Sequence, residues 1–291
     1  MKVFVTGASG FIGAAVVDEL IASGHQVLGL ARSRQSAKRI KEAGAEVIKG
    51  NLEDIESLKQ GALQADGIIH TAFFHDFTQY DKAAVLDREA INAMGEVLIN
   101  TTKPMVVTAG LLGLPLINGF VTEQSIAQYS LRFSEATALS LAERGVNASV
   151  VRLAPSVHDK NDKGFVPFII SLAAKNKLSA YPGDGTNQWP AIHRLDAAKL
   201  FRLALEKGNK GALYNGAGET GIEVKEIAAL IGEKLNLPIG SLPEDEVGKH
   251  FEWMGNFIRF DNPTSTQQTQ EALGWKPKHI GLLEDMRQNY F

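Results

Sequence analysis

Three glycines near the start of the chain have a spacing that lets backbone approach a phosphate group. Gly7, Gly10 and Gly13 lie in VTGASGFIGAAVVDEL, between a β-branched run and a helical pattern. The first permits a tight turn, the second lets the backbone approach a pyrophosphate, and the third lets the helix pack closely, with its amino end facing the negative charge. The alternative is a glycine-rich turn without a ligand. We predict a dinucleotide site whose residues here are Gly7, Ser9, Gly10, Phe11, Ile12 and Gly13.

The residues after the second predicted strand favour NADP over NAD. An Asp or Glu at this place binds the ribose diol of NAD, whereas this strand runs into GLARSR. The guanidinium of Arg32, followed by Ser33 and Arg34, can meet a 2′-phosphate, and no carboxylate there repels it. The alternative is that these arginines are solvated loop charges. We predict NADP as the cofactor, with Arg32 and Ser33 among its ligands.

The elements that must position these residues alternate along the first half of the chain. Short β-branched runs and helical patterns follow one another from KVFVT to NASVVRLAP, which predicts βαβ units and a parallel sheet. After about Pro155 the pattern loosens into turn-rich segments. We predict an α/β fold, a Rossmann doubly wound parallel sheet with a smaller C-terminal substrate lobe. Residues 1–155 and a returning strand near 211–217 would form the NADP-binding domain, and residues 156–291 most of a substrate-binding lobe that is discontinuous in sequence.

Composition excludes several classes of function. The chain has 291 residues, 44% of them hydrophobic and 22% charged, which are ordinary globular values. A net charge of -3 gives no broad attraction to nucleic acid or anionic membrane. Cysteine is absent, which excludes disulfides, thiolate catalysis and cysteine metal sites. Because neither a signal segment nor a membrane span is recognisable, we expect a cytoplasmic monomer or homodimer with a small-molecule substrate and no nucleic-acid or membrane partner.

Three motifs, TGASGFIG, HRLDAA and LGWKPK, resemble the short-chain dehydrogenase/reductase superfamily, specifically its extended branch of epimerase/dehydratase-like proteins and the atypical members near it. The resemblance spans nearly the whole chain. It implies a nicotinamide laid across the carboxyl ends of the strands. It further implies cofactor contacts from three later segments: Asn51, where the family usually has Asp, and Leu52 beside adenine; Thr71, Ala72 and Phe73 beside the ribose; and Pro155, Ser156, Val157 and His158 beside the nicotinamide.

The helix predicted over residues 128–145 would carry the acid/base group, yet the residue pair that the family uses is incomplete. Members that transfer hydride combine a Ser or Thr after the fifth strand with Tyr-x-x-x-Lys. Tyrosine has a pKa of about 10, so acid/base work near neutral pH requires about 4 kcal/mol of phenolate stabilisation, which a cation about 4 Å away can supply. Thr108 fits the hydroxyl, with a structural strand residue as the alternative, but Tyr129 is followed by Phe133 where the lysine would stand.

Arg132 offers a positive charge close to this tyrosine. Residues three apart share a helical face, so its guanidinium could replace the charge of lysine but not its proton relay. Aligning on Glu135 instead moves the expected tyrosine to Ala127 and the lysine to Leu131, so neither alignment preserves the pair. We predict Thr108, Tyr129 and Arg132 as the catalytic residues. The alternative for Tyr129 is an amphipathic-helix residue with a wet hydroxyl.

Histidines supply further candidates. His158 and His193 fall in segments expected near the cleft and could titrate near neutral pH, although structural roles explain them as well. His193, Arg194 and Asp196 are expected to brace the junction of the lobes. The spacing of His70, His75 and Asp76 is not a metal-ligand pattern, so we predict no metal site.

These residues together predict an NADP-dependent oxidoreductase that acts on a carbonyl or alcohol of a small, partly apolar substrate, with an atypical acid/base. Candidate pocket walls are Phe165, Tyr181, Trp189 and Trp253, with core packing as the alternative. Two other functions stay open. One is a non-catalytic NADP-binding redox sensor that responds by lobe movement. The other is a nucleotide-sugar epimerase or dehydratase, which the missing Tyr-Lys pair disfavours; the fold alone does not choose among them.

Overall fold

A seven-stranded sheet organises the chain, which this computed structural model describes for residues 1–74, 79–127 and 132–291. Its neighbouring strands are all parallel, in the order β3-β2-β1-β4-β5-β6-β10. The strands of the described residues are, in chain order, β1 Lys2–Thr6, β2 Gln26–Ala31, β3 Glu46–Lys49, β4 Gly67–His70, β5 Pro104–Gly110, β6 Asn147–Leu153, β7 Ser156–His158, β8 Ser179–Pro182, β9 Gln188–His193, β10 Leu213–Gly216, β11 Glu219–Glu223 and β12 Ile239–Leu242.

Helices cover both faces of this sheet. Alternate side chains of a strand point to opposite faces, and in β1 Val3 and Val5 belong to one core while Phe4 belongs to the other. The predicted Rossmann-type α/β class is thereby confirmed. The helices are α1 Phe11–Ala22, α2 Arg34–Glu42, α3 Ile55–Gln64, α4 Tyr80–Glu96, α5 Ser134–Glu143, α6 Phe165–Asn176, α7 Arg194–Lys207, α8 Val224–Leu235, α9 Glu244–Phe251, α10 Gly255–Ile258, α11 Gln267–Leu273 and α12 Leu282–Asn289.

The strand order reverses beside β1, which lies between β2 and β4. Chain segments that leave neighbouring strands in opposite directions at such a switch point open a crevice at the carboxyl ends of the strands. The glycine-rich turn follows β1 directly at this place. The topology therefore puts the turn at the expected ligand-binding edge.

The C-terminal part has its own core, built on two small sheets. These have the orders β11-β9-β7 and β12-β8, and the fully buried Trp189 and Phe251 lie in the core beside them. A junction with the main sheet forms around Asp196, whose carboxylate accepts from the backbone N–H groups of Lys278 and His279 at 3.0 Å. No helix in the described parts of the chain is long and apolar enough to cross a membrane.

One predicted helix is shorter in the structure. Instead of a helix over residues 128–145, α5 begins at Ser134, so the prediction is wrong for Arg132 and Phe133. The Arg132 side chain fixes the segment before the helix, because Nε donates to Ser134 Oγ at 2.7 Å and an Nη donates to the Thr108 carbonyl at 3.1 Å. Residues 128–131, including Tyr129, lie outside the described residues.

Candidate active site

A cleft with a volume of 1560 Å³ lies at the carboxyl ends of β1, β2, β4, β5 and β6. Ser33 and His158, which were also predicted to bind the cofactor, are not part of its lining, and Tyr129 lies outside the described residues. The predicted residues that the structure brings together in this lining are Gly7, Ser9, Gly10, Phe11, Ile12, Gly13, Arg32, Asn51, Leu52, Thr71, Ala72, Phe73, Thr108, Arg132, Pro155 and Val157.

The glycine-rich turn has a geometry that side chains would not allow. Gly7 has φ 71°, a left-handed conformation, and its carbonyl accepts from the N–H of Gly10 at 2.8 Å. A Cβ on Gly13 would lie 2.1 Å from that same carbonyl oxygen. Because the cap residue Gly10 offers no side-chain oxygen, the first N–H groups of α1 are available to an anion. The turn therefore fits the pyrophosphate of a dinucleotide.

Local hydrogen bonds account for the side chains of Asn51 and Ser33, two residues that were predicted to bind the cofactor. Asn51 Oδ1 accepts from the N–H groups of Glu53 at 2.7 Å and Asp54 at 3.1 Å, so an asparagine supports this loop as an aspartate would. Ser33 caps α2, with its Oγ accepting from the N–H of Ser36 at 3.1 Å. Arg32 is exposed and lines the cleft. Direct binding of a cofactor by Ser33 stays a prediction.

Thr108 lies at the end of β5 with its hydroxyl already committed to the backbone. Its Oγ1 donates to the His70 carbonyl at 2.7 Å. A threonine hydroxyl carries one proton and can otherwise only accept. While this bond holds, Thr108 can accept a hydrogen bond within the cleft but cannot donate one to a substrate carbonyl.

Arg132 is one of the cations that line the cleft. Its guanidinium carbon lies 4.3 Å from the centroid of the Phe73 ring, an arrangement of the cation–π type. Phe133, at the position where a lysine was expected, instead lies against Arg88 of α4, at 4.9 Å from its guanidinium carbon. The side chain that replaces lysine in sequence therefore packs on a helix, and the neighbouring arginine enters the cleft.

Tyr80 and Glu135 are among the polar cleft residues that were not predicted from the sequence as site residues. Tyr80, the first residue of α4, lines the cleft, and its ring centroid lies 5.9 Å from that of Phe73. Burial raises the pKa of Tyr80, with the charge of Arg132 opposing, so its phenol is neutral and can donate a hydrogen bond near pH 7. Glu135 also lines the cleft and is paired with Arg152. The sequence signal that could have identified Tyr80 as a site residue is its place at the start of a helix that follows a strand.

The far end of the cleft is aromatic. Phe168 and Trp253 lie 4.8 Å apart by ring centroid at 30°, and Phe165 lies 5.7 Å from Phe257. Phe165 and Trp253 line the cleft as predicted walls would. Trp189 is fully buried behind Phe165, and Tyr181 is not part of the lining.

The predicted histidines lie together at the junction of the lobes. His158 is buried, with Nδ1 2.8 Å from Asp285 Oδ2, and its ring meets His193 edge-on at 5.4 Å. His193 stacks on His279 at 4.6 Å. Arg194 and Asp159 form an ion pair at 2.8 Å. In the described ranges no group of three or more His, Cys, Asp or Glu side chains could hold a metal ion, and His75 and Asp76 lie outside them.

Acid should weaken the fold through this cluster. Burial lowers the pKa of His158, although the hydrogen bond and charge of Asp285 oppose it, and burial also lowers the pKa of His193. The unfolded chain takes up these protons below about pH 6.5, and the folded chain takes them up only at lower pH. The contribution to stability is therefore fully present above about pH 6.5 and is lost as the pH drops, by at most about 1.4 kcal/mol per pH unit for each histidine. Urea unfolding at several pH values should show a smaller loss for His158→Gln; identical pH profiles would contradict this.

The chain is similar to known proteins along its whole length. The model of the NAD-dependent epimerase/dehydratase family matches residues 3–98. An uncharacterized protein of Saccharomyces cerevisiae is 48% identical over 100% of this chain and 99% of its own length, and one of Schizosaccharomyces pombe is 45% identical over 98% of each. A quinoline-oxide ketoreductase of Stigmatella aurantiaca is 26% identical over 84% of this chain and 76% of its own.

The fold likeness extends to solved structures. A dTDP-glucose 4,6-dehydratase of Streptomyces venezuelae with NAD and TYD bound superposes with a TM-score of 0.77 at 16% identity, over 99% of this chain and 98% of the other. The chain thus has the same Rossmann-type fold as this NAD-bound enzyme. The chain belongs to the NAD-dependent epimerase/dehydratase family of the short-chain dehydrogenase/reductase superfamily.

Proposed function

We propose that the protein is an NADP-dependent oxidoreductase that interconverts a carbonyl and an alcohol on a small, planar, largely apolar substrate. One observation carries this proposal. A single cleft joins the glycine-rich turn at one end to the aromatic side chains of Phe165, Phe168 and Trp253 at the other, with Arg132 also in its lining.

The phosphate end fits the cofactor of this proposal. The amino end of α1 and the left-handed Gly7 form a cradle for a pyrophosphate, and Arg32 supplies a positive charge next to the end of β2. When bound, NADPH supplies the hydride that reduces a carbonyl carbon, whose oxygen then takes a proton. The residues of this chain have the remaining tasks of holding the two molecules and stabilising charge on that oxygen.

The aromatic end favours an apolar partner over a sugar. Aromatic rings hold flat apolar groups by stacking and exclude water from the cleft. Arg132 and the neutral phenol of Tyr80 are donors that could polarise a carbonyl oxygen, whereas the hydroxyl of Thr108 is restricted to accepting. The Stigmatella relative, named as a ketoreductase, supports the same direction.

Specificity for NADP should depend on Arg32. Arg32→Ala removes a guanidinium from the adenosine end, so we expect a roughly 10- to 100-fold weaker Kd for NADPH, the equivalent of about 1.5–3 kcal/mol for a charge-assisted hydrogen bond. The Kd for NADH should change little, because NADH has no 2′-phosphate. Fluorescence titration measures both, and Arg39→Ala on the exposed side of α2 is the control. Equal losses for the two cofactors would contradict NADP specificity.

Turnover tests the proposed reaction. The purified protein should oxidise NADPH in the presence of aryl aldehydes, aryl ketones or quinones, and the loss of NADPH absorbance measures this reaction. Phe168→Ala should raise KM for these substrates several-fold. Nucleotide sugars are the contrasting substrates: their conversion would favour an epimerase or dehydratase. Tight NADPH binding without turnover of any carbonyl compound would overturn the proposal and favour a redox sensor.

A further inference from the structure

A fully buried carboxylate lies behind the cleft, connected to it by hydrogen bonds. We propose that Asp87, with His70 and Ser134, positions the guanidinium of Arg132 as the fixed cation of the carbonyl site; this rests on the proposed function. The three residues are positioning residues, because none of them is part of the cleft lining and they reach it through Arg132.

Hydrogen bonds connect Asp87 to Arg132 without a break, and the chemistry of the groups determines which one donates in each bond. Arg132 Nε donates to Ser134 Oγ at 2.7 Å, and Ser134 Oγ donates to Asp87 Oδ2 at 2.5 Å. The other oxygen, Asp87 Oδ1, lies 3.0 Å from His70 Nε2, which must donate because a carboxylate only accepts. His70 Nδ1 is held in turn by Thr6 Oγ1 at 2.8 Å. The arginine is therefore tied to the first and fourth strands of the sheet.

The carboxylate in this chain is charged although it has no contact with solvent. Asp87 and His70 are both 0% exposed. Burial acts to raise the pKa of Asp87, but the hydrogen bond and charge of His70, the charge of Arg132 and the hydrogen bond of Ser134 together lower it. A buried charged side chain with its partners is often no more stabilising than apolar residues of similar volume. Stabilisation of the fold is thus a weak explanation for a buried carboxylate at position 87, and a positioning role explains it better.

The guanidinium is restrained from three sides by described residues. Nε is bound to Ser134, one Nη donates to the Thr108 carbonyl at 3.1 Å, and one face lies on the Phe73 ring. Phe73 belongs to the segment after β4, and Thr108 is in β5. The charge is therefore fixed over the carboxyl ends of β4 and β5. A preorganised cation stabilises a developing alkoxide without reorganising during the reaction.

Kinetics of single variants test the positioning role. Ser134→Ala and Asp87→Asn should lower kcat roughly 10- to 100-fold, because a displacement of about 1 Å at a reacting centre has effects of that order. KM for NADPH and for the carbonyl substrate should stay within about twofold, since the guanidinium acts on the charge that develops on the oxygen during the reaction and not on substrate binding. Ser134→Thr, which retains the hydroxyl, should recover most of the rate. The matched controls Ser140→Ala on α5 and Glu89→Gln on α4 are exposed and should behave as wild type. Unchanged kcat in both test variants would overturn the proposal.

A second measurement separates this inference from the proposed function. The Nε–H of Arg132 should give a slowly exchanging NMR signal, identified by its disappearance in Arg132→Lys, and exchange should accelerate in Ser134→Ala and Asp87→Asn. If wild type turns over no carbonyl compound, the proposed function fails, and the exchange rates still decide whether Asp87 and Ser134 hold Arg132. Unaltered exchange in folded Ser134→Ala would overturn the positioning role. Thermal unfolding of each variant shows whether it is folded.

Discussion

Replacing Gly13 by alanine should remove nucleotide binding, with an increase of more than about 100-fold in the Kd for NADPH. The added Cβ would lie 2.1 Å from the Gly7 carbonyl oxygen and 2.9 Å from Thr71 Oγ1. Neither atom is the end of a long flexible side chain, so the turn and the start of α1 must separate. The N–H groups that we propose to face the phosphates would then move with the helix. Fluorescence titration with NADPH measures the loss.

A matched glycine distinguishes this local effect from a general one. Gly248 lies in α9, and a Cβ there would meet no atom within 4 Å. Gly248→Ala should leave the Kd for NADPH unchanged and stabilise the protein by about 0.5–1 kcal/mol through helix propensity. A Gly13→Ala protein that binds NADPH as wild type does would show that this turn is not the phosphate site.

Much of the fold could be predicted because its determinants are local. A parallel strand covered on both faces needs a continuous apolar run, and KVFVT has one whose Val3 and Phe4 enter opposite cores. The glycine spacing likewise depends on contacts within one turn, since Gly13 meets the carbonyl of Gly7. Such features depend on a few residues that are close together in sequence. The predicted fold class is accordingly confirmed.

The acid/base region could not be predicted because its determinants are distant in sequence. Helical periodicity continues through Arg132 and Phe133, yet the contacts with Thr108 and Ser134 hold Arg132 outside the helix. Nothing in the sequence showed that the Thr108 hydroxyl donates to His70. Aromatic residues pose the same difficulty, since Phe165 lines the cleft and Trp189 fills the core behind it. Only tertiary packing determines whether an aromatic residue lines the cleft or lies in the core.

Removing Glu135 should be the most destabilising of the substitutions considered. Arg152 is fully buried, and its Nε and one Nη donate to the two carboxylate oxygens of Glu135 at 2.7 and 2.6 Å. Glu135→Ala would leave a buried charge with only the carbonyls of the 122–125 loop as acceptors, so we expect the free energy of unfolding to fall by about 3–5 kcal/mol. Urea unfolding near neutral pH measures this change.

The exposed Glu143, at the end of the same helix, is the control, and Glu143→Ala should change stability by less than about 0.5 kcal/mol. A double variant, Glu135→Leu with Arg152→Met, should recover much of the loss, because apolar residues of similar volume carry no desolvation cost. The pair also affects the cleft, since Arg152 donates to the carbonyl of Ser125, and the next two residues, Ile126 and Ala127, line it. The double variant should therefore regain stability while its KM for the carbonyl substrate stays raised, and recovery of both would mean that Arg152 acts on the fold alone.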